Sequence, residues 1–322
     1  FLGAPGLGST CLNPNQLWSV DSLTMTSRHL RLLVRVRVYV ALTKPRIIEL
    51  LLVTTLPTMI LAAGRLPGLW LALATLIGGT LAAGSAEVFN SYIERDIDAV
   101  MHRTAHRPLA QAHVVPGHAL IFGFVLGFAA VAWLMILVNL LAALLSLAAI
   151  LFYVFVYTIW LKPRTSSNIV WGGAAGCFPV LIGWAAVTDS LSWPPVVLFL
   201  LIFFWTPPHY WPLAMKYRED YARAKIPMLP VVASEALVVK RIIQYSWAMV
   251  IVSLALTPVA KMGLIYTISA VVLGAAFLFE AYALQGRVKK HQLPREMRLF
   301  HGSISYLSLI FLAVAIDPLL HF

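Results

Sequence analysis

A succession of apolar stretches, each close to the roughly 20 residues needed to cross a bilayer core, constrains this chain more than any other feature. Nine are legible, at 47–64, 68–93, 117–137, 140–160, 168–188, 194–214, 242–260, 262–284 and 302–320. They are rich in Leu and Ala and lack the period-two alternation of barrel strands, so they predict helices and not a closed β-barrel. The composition agrees: 60% of the residues are hydrophobic and only 11% charged, against about 25% charged in an ordinary soluble domain. The chain therefore reads as an all-α, polytopic membrane protein built as a nine-transmembrane-helix bundle.

Charge placement tests that count independently. With nine spans, every Lys and Arg of the 24 except Arg65 and Lys261 falls on one side of the membrane, and cytoplasmic loops are the ones that hold such an excess. This puts the N-terminus and the loops at 94–116, 161–167, 215–241 and 285–301 inside. The net charge of +11 is thereby a statement about topology and gives no sign of a nucleic-acid-binding face.

The acids are concentrated on the same side. Glu87, Glu94, Asp96 and Asp98 accompany the end of the second span, and Glu219, Asp220 and Glu235 follow the sixth. Asn90, Glu94 and Asp98 are four residues apart, so on a helix they drift by only about 40° and line one face. Oxygen donors at the mouth of an apolar bundle are costly unless a cation or a charged substrate compensates them. Arg95, Arg103 and Arg107 belong to the first acidic loop, and Lys216, Arg218 and Arg223 to the second. Carboxylates beside such cations suit a metal-bridged phosphate, because Mg²⁺ takes one or two carboxylates together with phosphate oxygens. Solvated salt bridges are the plainer alternative. Asp96 lies on the far side of the helix wheel from Asn90, and Glu87 lies on the near side one turn deeper, suited to a supporting acid or to a buried structural pair.

Other features bound the chemistry. Cys11 and Cys177 are the only cysteines, which indicates neither a disulfide framework nor a thiolate metal site. Gly172, Gly173 and Gly176 sit within a span, where small residues serve close helix packing. Residues 1–41 form an N-terminal basic segment, with 1–27 low in pattern and partly disordered. Arg28, Arg31, Arg35, Arg37, Lys44 and Arg46 occur without an acid between them, as in a mitochondrial presequence or a segment lying on the inner membrane surface. Residues 42–322 constitute the membrane domain.

Six segments in order carry a resemblance: T-K-P-R-I at 43–47, N-S-Y-I-E-R-D-I-D-A-V-M-H-R-T at 90–104, R-P-L at 107–109, N-I-V-W-G-G-A-A-G at 168–176, W-T-P-P-H-Y-W at 205–211 and D-Y-A-R-A-K-I-P-M-L-P at 220–230. On these the chain, from about Leu42 onward, resembles the UbiA-type intramembrane prenyltransferases, and among them the protoheme IX farnesyltransferase, or haem O synthase, branch. The resemblance implies Mg²⁺-dependent transfer of a farnesyl group from farnesyl diphosphate to a vinyl group of haem b, with addition of water, yielding haem O for the haem A pathway. It also implies a bacterial plasma membrane location with cytoplasmic active-site loops, the mitochondrial inner membrane being the alternative, and contact with the lipid bilayer and the next enzyme of haem A synthesis.

Residue by residue, Asn90, Glu94 and Asp98 match the family's first metal motif, with Glu94 where Asp is usual. Asp220 is the preferred ligand from the second motif, ahead of Glu219, and Tyr217 stands where relatives outside the haem branch often have Asp. Lys44, Arg103, Arg107, Lys162, Lys216 and Tyr217 are expected on the substrate, the cations chiefly at the diphosphate. His209 is expected at haem iron, a propionate or the diphosphate, or as a packing residue beside prolines that interrupt its helix. Phe89, Tyr92, Trp205 and Tyr210 are candidates to stabilise an allylic cation through their ring faces. Two competing classes are a UbiA-type enzyme with another aromatic or chlorin acceptor, and a transporter with a midplane ion site.

Overall fold

A computed structural model describes residues 28–320; the expectation of disorder at 1–27 lies outside them. Among the described residues every regular element is a helix and there are no strands. The helices are α1 (Arg28–Leu42), α2 (Pro45–Ala63), α3 (Leu69–Ile93), α4 (Arg95–Val100), α5 (Pro116–Leu137), α6 (Leu140–Leu151), continued by a π-helical segment (Phe152–Leu161), and α7 (Asn168–Gly172), leading through a 3₁₀ turn into α8 (Phe178–Thr188). The remainder are α9 (Trp193–Lys216), α10 (Arg218–Arg223), α11 (Leu229–Val232), α12 (Glu235–Val259), α13 (Leu264–Lys289) and α14 (Glu296–Leu320).

Eight helical stretches among the described residues are long and apolar enough to span a membrane, and the described apolar part of α2, Val53–Ala63, is shorter. With the 19-residue α2 included, the bundle follows the nine segments read from the sequence. Neighbours pack in a ring that runs α2, α3, α5, α6, α8, α9, α12, α13, α14 and back to α2. The outer surface carries large apolar side chains such as Phe124, Phe128, Val272 and Phe279, an apolar area that only lipid would cover. This is an integral membrane protein.

Local chemistry sets the ends of the bundle. Asn139 caps α6 by accepting from the Ala142 N–H at 2.8 Å, and its amide donates to the Ala185 carbonyl of α8 at 2.7 Å. At the same end, buried Asp317 of α14 accepts from the Gly263 and Tyr266 N–H groups that open α13, at 2.6 and 3.0 Å. Such caps satisfy donors that a helix start leaves free. Helix α1 lays Val38 and Leu42 against Val88, Leu109 and Val114, so the end of the basic segment is tied to the domain.

Two expectations are corrected. Pro207, Pro208 and Pro212 do not interrupt α9, which continues from Trp193 to Lys216; packed neighbours make such prolines tolerable in spanning helices. The Asn90–Glu94–Asp98 row is not on one unbroken helix either, because Glu94 adopts φ −93°, ψ 4° between α3 and α4. Its alignment survives, since the Glu94 N–H still bonds the Asn90 carbonyl and the Asp98 N–H the Glu94 carbonyl.

Candidate active site

One face of α3 changes character along its length. Gly79, Ala82, Ala83 and Ala86 line an apolar cavity that reaches Phe178 and Ile182 of α8. Glu87, Asn90 and Glu94 follow on the same face, with Asp98 beyond the break, and all four are buried. Burying three carboxylates is tolerable only because each is paired. Lys44, held just before Pro45 in a left-handed conformation at φ 49°, reaches Asn90 Oδ1 at 2.7 Å and Glu87 Oε2 at 2.6 Å. Lys162 donates to Glu94 Oε1. Arg107 grips both oxygens of Asp98 at 2.8 Å, and the Asp98 carbonyl accepts from Thr104 Oγ1 at 3.1 Å. Burial pushes the Glu94 carboxyl up, but Lys162, Lys44 and Arg107 outweigh it and hold Glu94 below its ordinary range.

The π-helical segment supplies the opposite wall. Nine residues of α-helix would put Tyr153 and Lys162 about 180° apart, whereas a π-helix has roughly 4.4 residues per turn and brings Tyr153, Thr158 and Lys162 to one side. Tyr153 OH accordingly donates to Glu87 Oε1 at 2.8 Å. Thr158 Oγ1 accepts from Asn90 Nδ2 at 3.3 Å while donating to the Tyr153 carbonyl. Close packing locks this wall in place. A Cβ on Gly172 would stand 2.0 Å from the Tyr157 ring, and one on Gly173 would stand 2.8 Å from Thr206. These two glycines serve packing as expected; Gly176 instead faces the cavity with open space at its Cβ position.

The second acidic loop closes over the row. Asp220 is buried and Glu219 exposed, which favours the former as the inward-facing carboxylate. Asp220 accepts from the Arg103 backbone N–H at 3.3 Å and pairs with Arg223 at 3.4 Å. The Arg103 guanidinium lies 5.9 Å from the Tyr217 ring centre and donates to Tyr221 OH at 3.4 Å, and Tyr221 OH meets Tyr210 OH at 3.1 Å. Burial and Tyr210 push the Tyr221 hydroxyl well above its ordinary pKa, so it stays protonated. Arg103 Nε and Asn168 Oδ1 are buried here without a hydrogen-bond partner. An unsatisfied guanidinium donor is a group that an incoming anion would satisfy.

Asn90, Glu94, Asp98 and Asp220 form an all-oxygen donor set, the kind Mg²⁺ accepts alongside phosphate oxygens. Among the described residues, no group of three His, Cys, Asp or Glu side chains already converges on one metal position, each acid being turned onto its own cation. The residues fit the ion by donor chemistry.

The sequence pattern of the UbiA prenyltransferases matches residues 51–304. The chain belongs to the UbiA prenyltransferase family. It is 60% identical over 288 residues to protoheme IX farnesyltransferase of Clavibacter sepedonicus, covering 89% of this chain and 94% of that one. It is 57% identical over 289 residues to the enzyme of the same name from Streptomyces avermitilis, covering 89% and 95%. Solved UbiA-type structures share the fold at low identity. A digeranylgeranylglyceryl phosphate synthase superposes with a TM-score of 0.73 at 14% identity, covering 88% of this chain and 98% of that one. A UbiA homologue from Archaeoglobus fulgidus bound to DMAPP and Mg²⁺ gives 0.60 at 16% identity, covering 86% and 99%.

The candidate site gathers Lys44, Asn90, Glu94, Asp98, Arg103, Arg107, Lys162, Tyr217 and Asp220, and separates others. Lys216 is exposed at the end of α9. His209 stacks between Trp205 and Phe300, at 4.2 and 4.7 Å, with Nδ1 2.6 Å from Ser303 Oγ, on the side of α9 that meets α14. Phe89 packs on Phe124, and Tyr92 lies under Arg95. Asp96 is exposed beside Arg95 at 3.9 Å, as its place on the helix wheel predicts. Tyr153, Thr158, Asn168 and Tyr221 are the members that sequence reasoning missed. Only the register of a π-helix reveals the first two.

Proposed function

We propose that this chain transfers a farnesyl group from farnesyl diphosphate to a vinyl group of haem b and adds water, giving haem O and diphosphate. The observation that carries the reading is the buried row of oxygen donors, each backed by a cation, set directly above an apolar cavity on one face of α3. Its strong likeness to protoheme IX farnesyltransferases names the donor and acceptor. The chemistry belongs at the cytoplasmic face of a bacterial plasma membrane, where positive-inside counting places both acidic loops. Haem O would then pass to the next enzyme of haem A synthesis.

Asn90, Glu94, Asp98 and Asp220 are the residues that would hold Mg²⁺. The ion would neutralise charge on the diphosphate as it leaves. Lys162 and Arg107, now turned onto Glu94 and Asp98, are placed to move to diphosphate oxygens when the acids take up the metal. Arg103 offers its unpartnered Nε to the same group, and Lys44 keeps Asn90 oriented. The apolar walls from Gly79 to Ala86 extend for about 10 Å, where the isoprenyl chain would lie shielded from water. Tyr153 lines this space, with the Tyr157 ring centre 5.3 Å from its own, and these rings would offer faces to an allylic cation.

Gly176→Phe projects a ring into that cavity. It should raise the KM for farnesyl diphosphate about tenfold, while the shorter geranyl diphosphate is used almost as before; equal losses for both donors would remove the chain from this cavity. The acceptor is tested by measuring diphosphate release with haem b and, separately, an aromatic acid. Release that depends on haem b alone is expected. Release with the aromatic acid would favour another UbiA activity.

A further inference from the structure

Formation of haem O ends with a proton to dispose of, and nothing assigned so far receives it. The farnesyl C1–oxygen bond breaks with its electron pair leaving on diphosphate. The vinyl π pair forms a new carbon–carbon bond to C1, leaving a cation on the inner vinyl carbon. A lone pair of water closes on that carbon, and the resulting oxonium must lose a proton to become the alcohol. No oxidation or reduction is involved. The products are haem O, diphosphate and one proton.

We infer that Glu87 is the base that takes this proton and that Tyr153 positions it. This rests on the reading of the chain as a haem-farnesylating enzyme. Among the described residues around the cavity only Thr54, Glu87 and Tyr153 have polar side chains, so a water held within those walls finds its partners at this end. Ordered water in an apolar space needs two or more such partners. Glu87 is buried, with Oε1 accepting from Tyr153 OH at 2.8 Å and Oε2 paired with Lys44 at 2.6 Å. Both contacts fix its direction. A carboxylate can take the proton, because a protonated alcohol is a far stronger acid than a carboxylic acid.

Its depth separates it from the metal-binding acids. Glu87 lies seven residues before Glu94 and eleven before Asp98, about 10 and 16 Å along the helix direction. The departing diphosphate belongs with Lys162 and Arg107 at the upper level. The cation to be quenched is two carbons beyond farnesyl C1, away from the leaving group. Lys44 links the two levels through Glu87 and Asn90, and the proton then leaves toward the released diphosphate, restoring the Glu87–Lys44 pair.

The rival base is the diphosphate itself, and product identity decides between them. With haem b, farnesyl diphosphate and Mg²⁺, Glu87→Gln should still release diphosphate, more slowly. Its haem product should be mainly an alkene, one water lighter than haem O, because the cation without a base for water loses a proton from the neighbouring carbon. Tyr153→Phe, which keeps the carboxylate but removes its hydrogen bond, should give a mixture, and Glu87→Asp should recover the alcohol in part. Haem O as the main product of Glu87→Gln would overturn the assignment, as would loss of both diphosphate release and product. If Glu87→Gln does not fold, Tyr153→Phe decides: pure haem O overturns the inference and a mixture supports it. Failure of the wild-type protein to make any farnesylated haem would instead strike the underlying functional reading.

Discussion

Asp98→Ala is expected to lower the rate of farnesyl transfer by about 10³-fold, the scale seen when one group that stabilises developing charge is removed. Asp98 is buried, and its two oxygens are both held by Arg107. On the proposed role, its loss would remove a donor for Mg²⁺ and leave the Arg107 guanidinium without its partner, so charge on the leaving diphosphate would no longer meet a directed pair. Asp98→Asn tests the charge with little change of shape and should be nearly as impaired. Asp96→Ala is the control two residues away. That side chain is exposed, and its nearest cation lies at 3.9 Å, so activity within about twofold of wild type is expected. Single-turnover release of diphosphate makes the comparison, with the melting temperature showing that each variant is folded. Equal losses for Asp96→Ala and Asp98→Ala would mean that the loop as a whole, not the buried face, carries the effect.

Lys162→Met should separate two roles of one side chain. In the structure Lys162 is the counter-ion of Glu94, whereas during turnover it is assigned to the diphosphate. Its removal should therefore raise the KM for farnesyl diphosphate about 10- to 100-fold, the worth of a charge-assisted hydrogen bond. The same substitution leaves the buried Glu94 carboxylate without its cation, a loss of about 3–5 kcal/mol for a fully buried pair. Mg²⁺ can take the vacated place, so it should raise the melting temperature of the variant well above its effect on the wild-type protein, in proportion to the gain in affinity. A variant that Mg²⁺ stabilises no more than wild type would show that Glu94 does not receive the ion. Measuring the shift without substrate keeps this test independent of activity.

How much of this was legible in the sequence depends on the physics behind each part. The spans were legible because lipid demands about 20 apolar residues whatever the fold, and Arg65 with Lys261 marked the opposite face. The Asn90–Glu94–Asp98 row was legible because i, i+4 spacing reports a shared face, and it survived the break at Glu94 through the two backbone hydrogen bonds that cross it. Tyr153 and Thr158 were not legible. Hydrophobic periodicity cannot distinguish a π-helical stretch from an α-helical one inside a uniformly apolar span, and in α-helical register Tyr153 turns away from Lys162. Phe89 and Tyr92 show the converse error: they adjoin the row in sequence, but their helix positions aim them at α5 and Arg95. The preference for Asp220 over Glu219 came from the family motif and not from spacing, since adjacent acids on a short helix differ only in which one packing buries; the structure buries Asp220 and leaves Glu219 exposed.

The central claim is Mg²⁺-dependent farnesylation of haem at the Asn90–Glu94–Asp98 row and Asp220. It is tested most directly by incubating the purified protein with haem b, farnesyl diphosphate and Mg²⁺, with and without a chelator, and determining the mass of the haem product. The account predicts haem carrying one farnesyl group and one added water, formed only when Mg²⁺ is present and lost in Asp98→Ala. The same product formed equally in the chelated sample and by Asp98→Ala would contradict it.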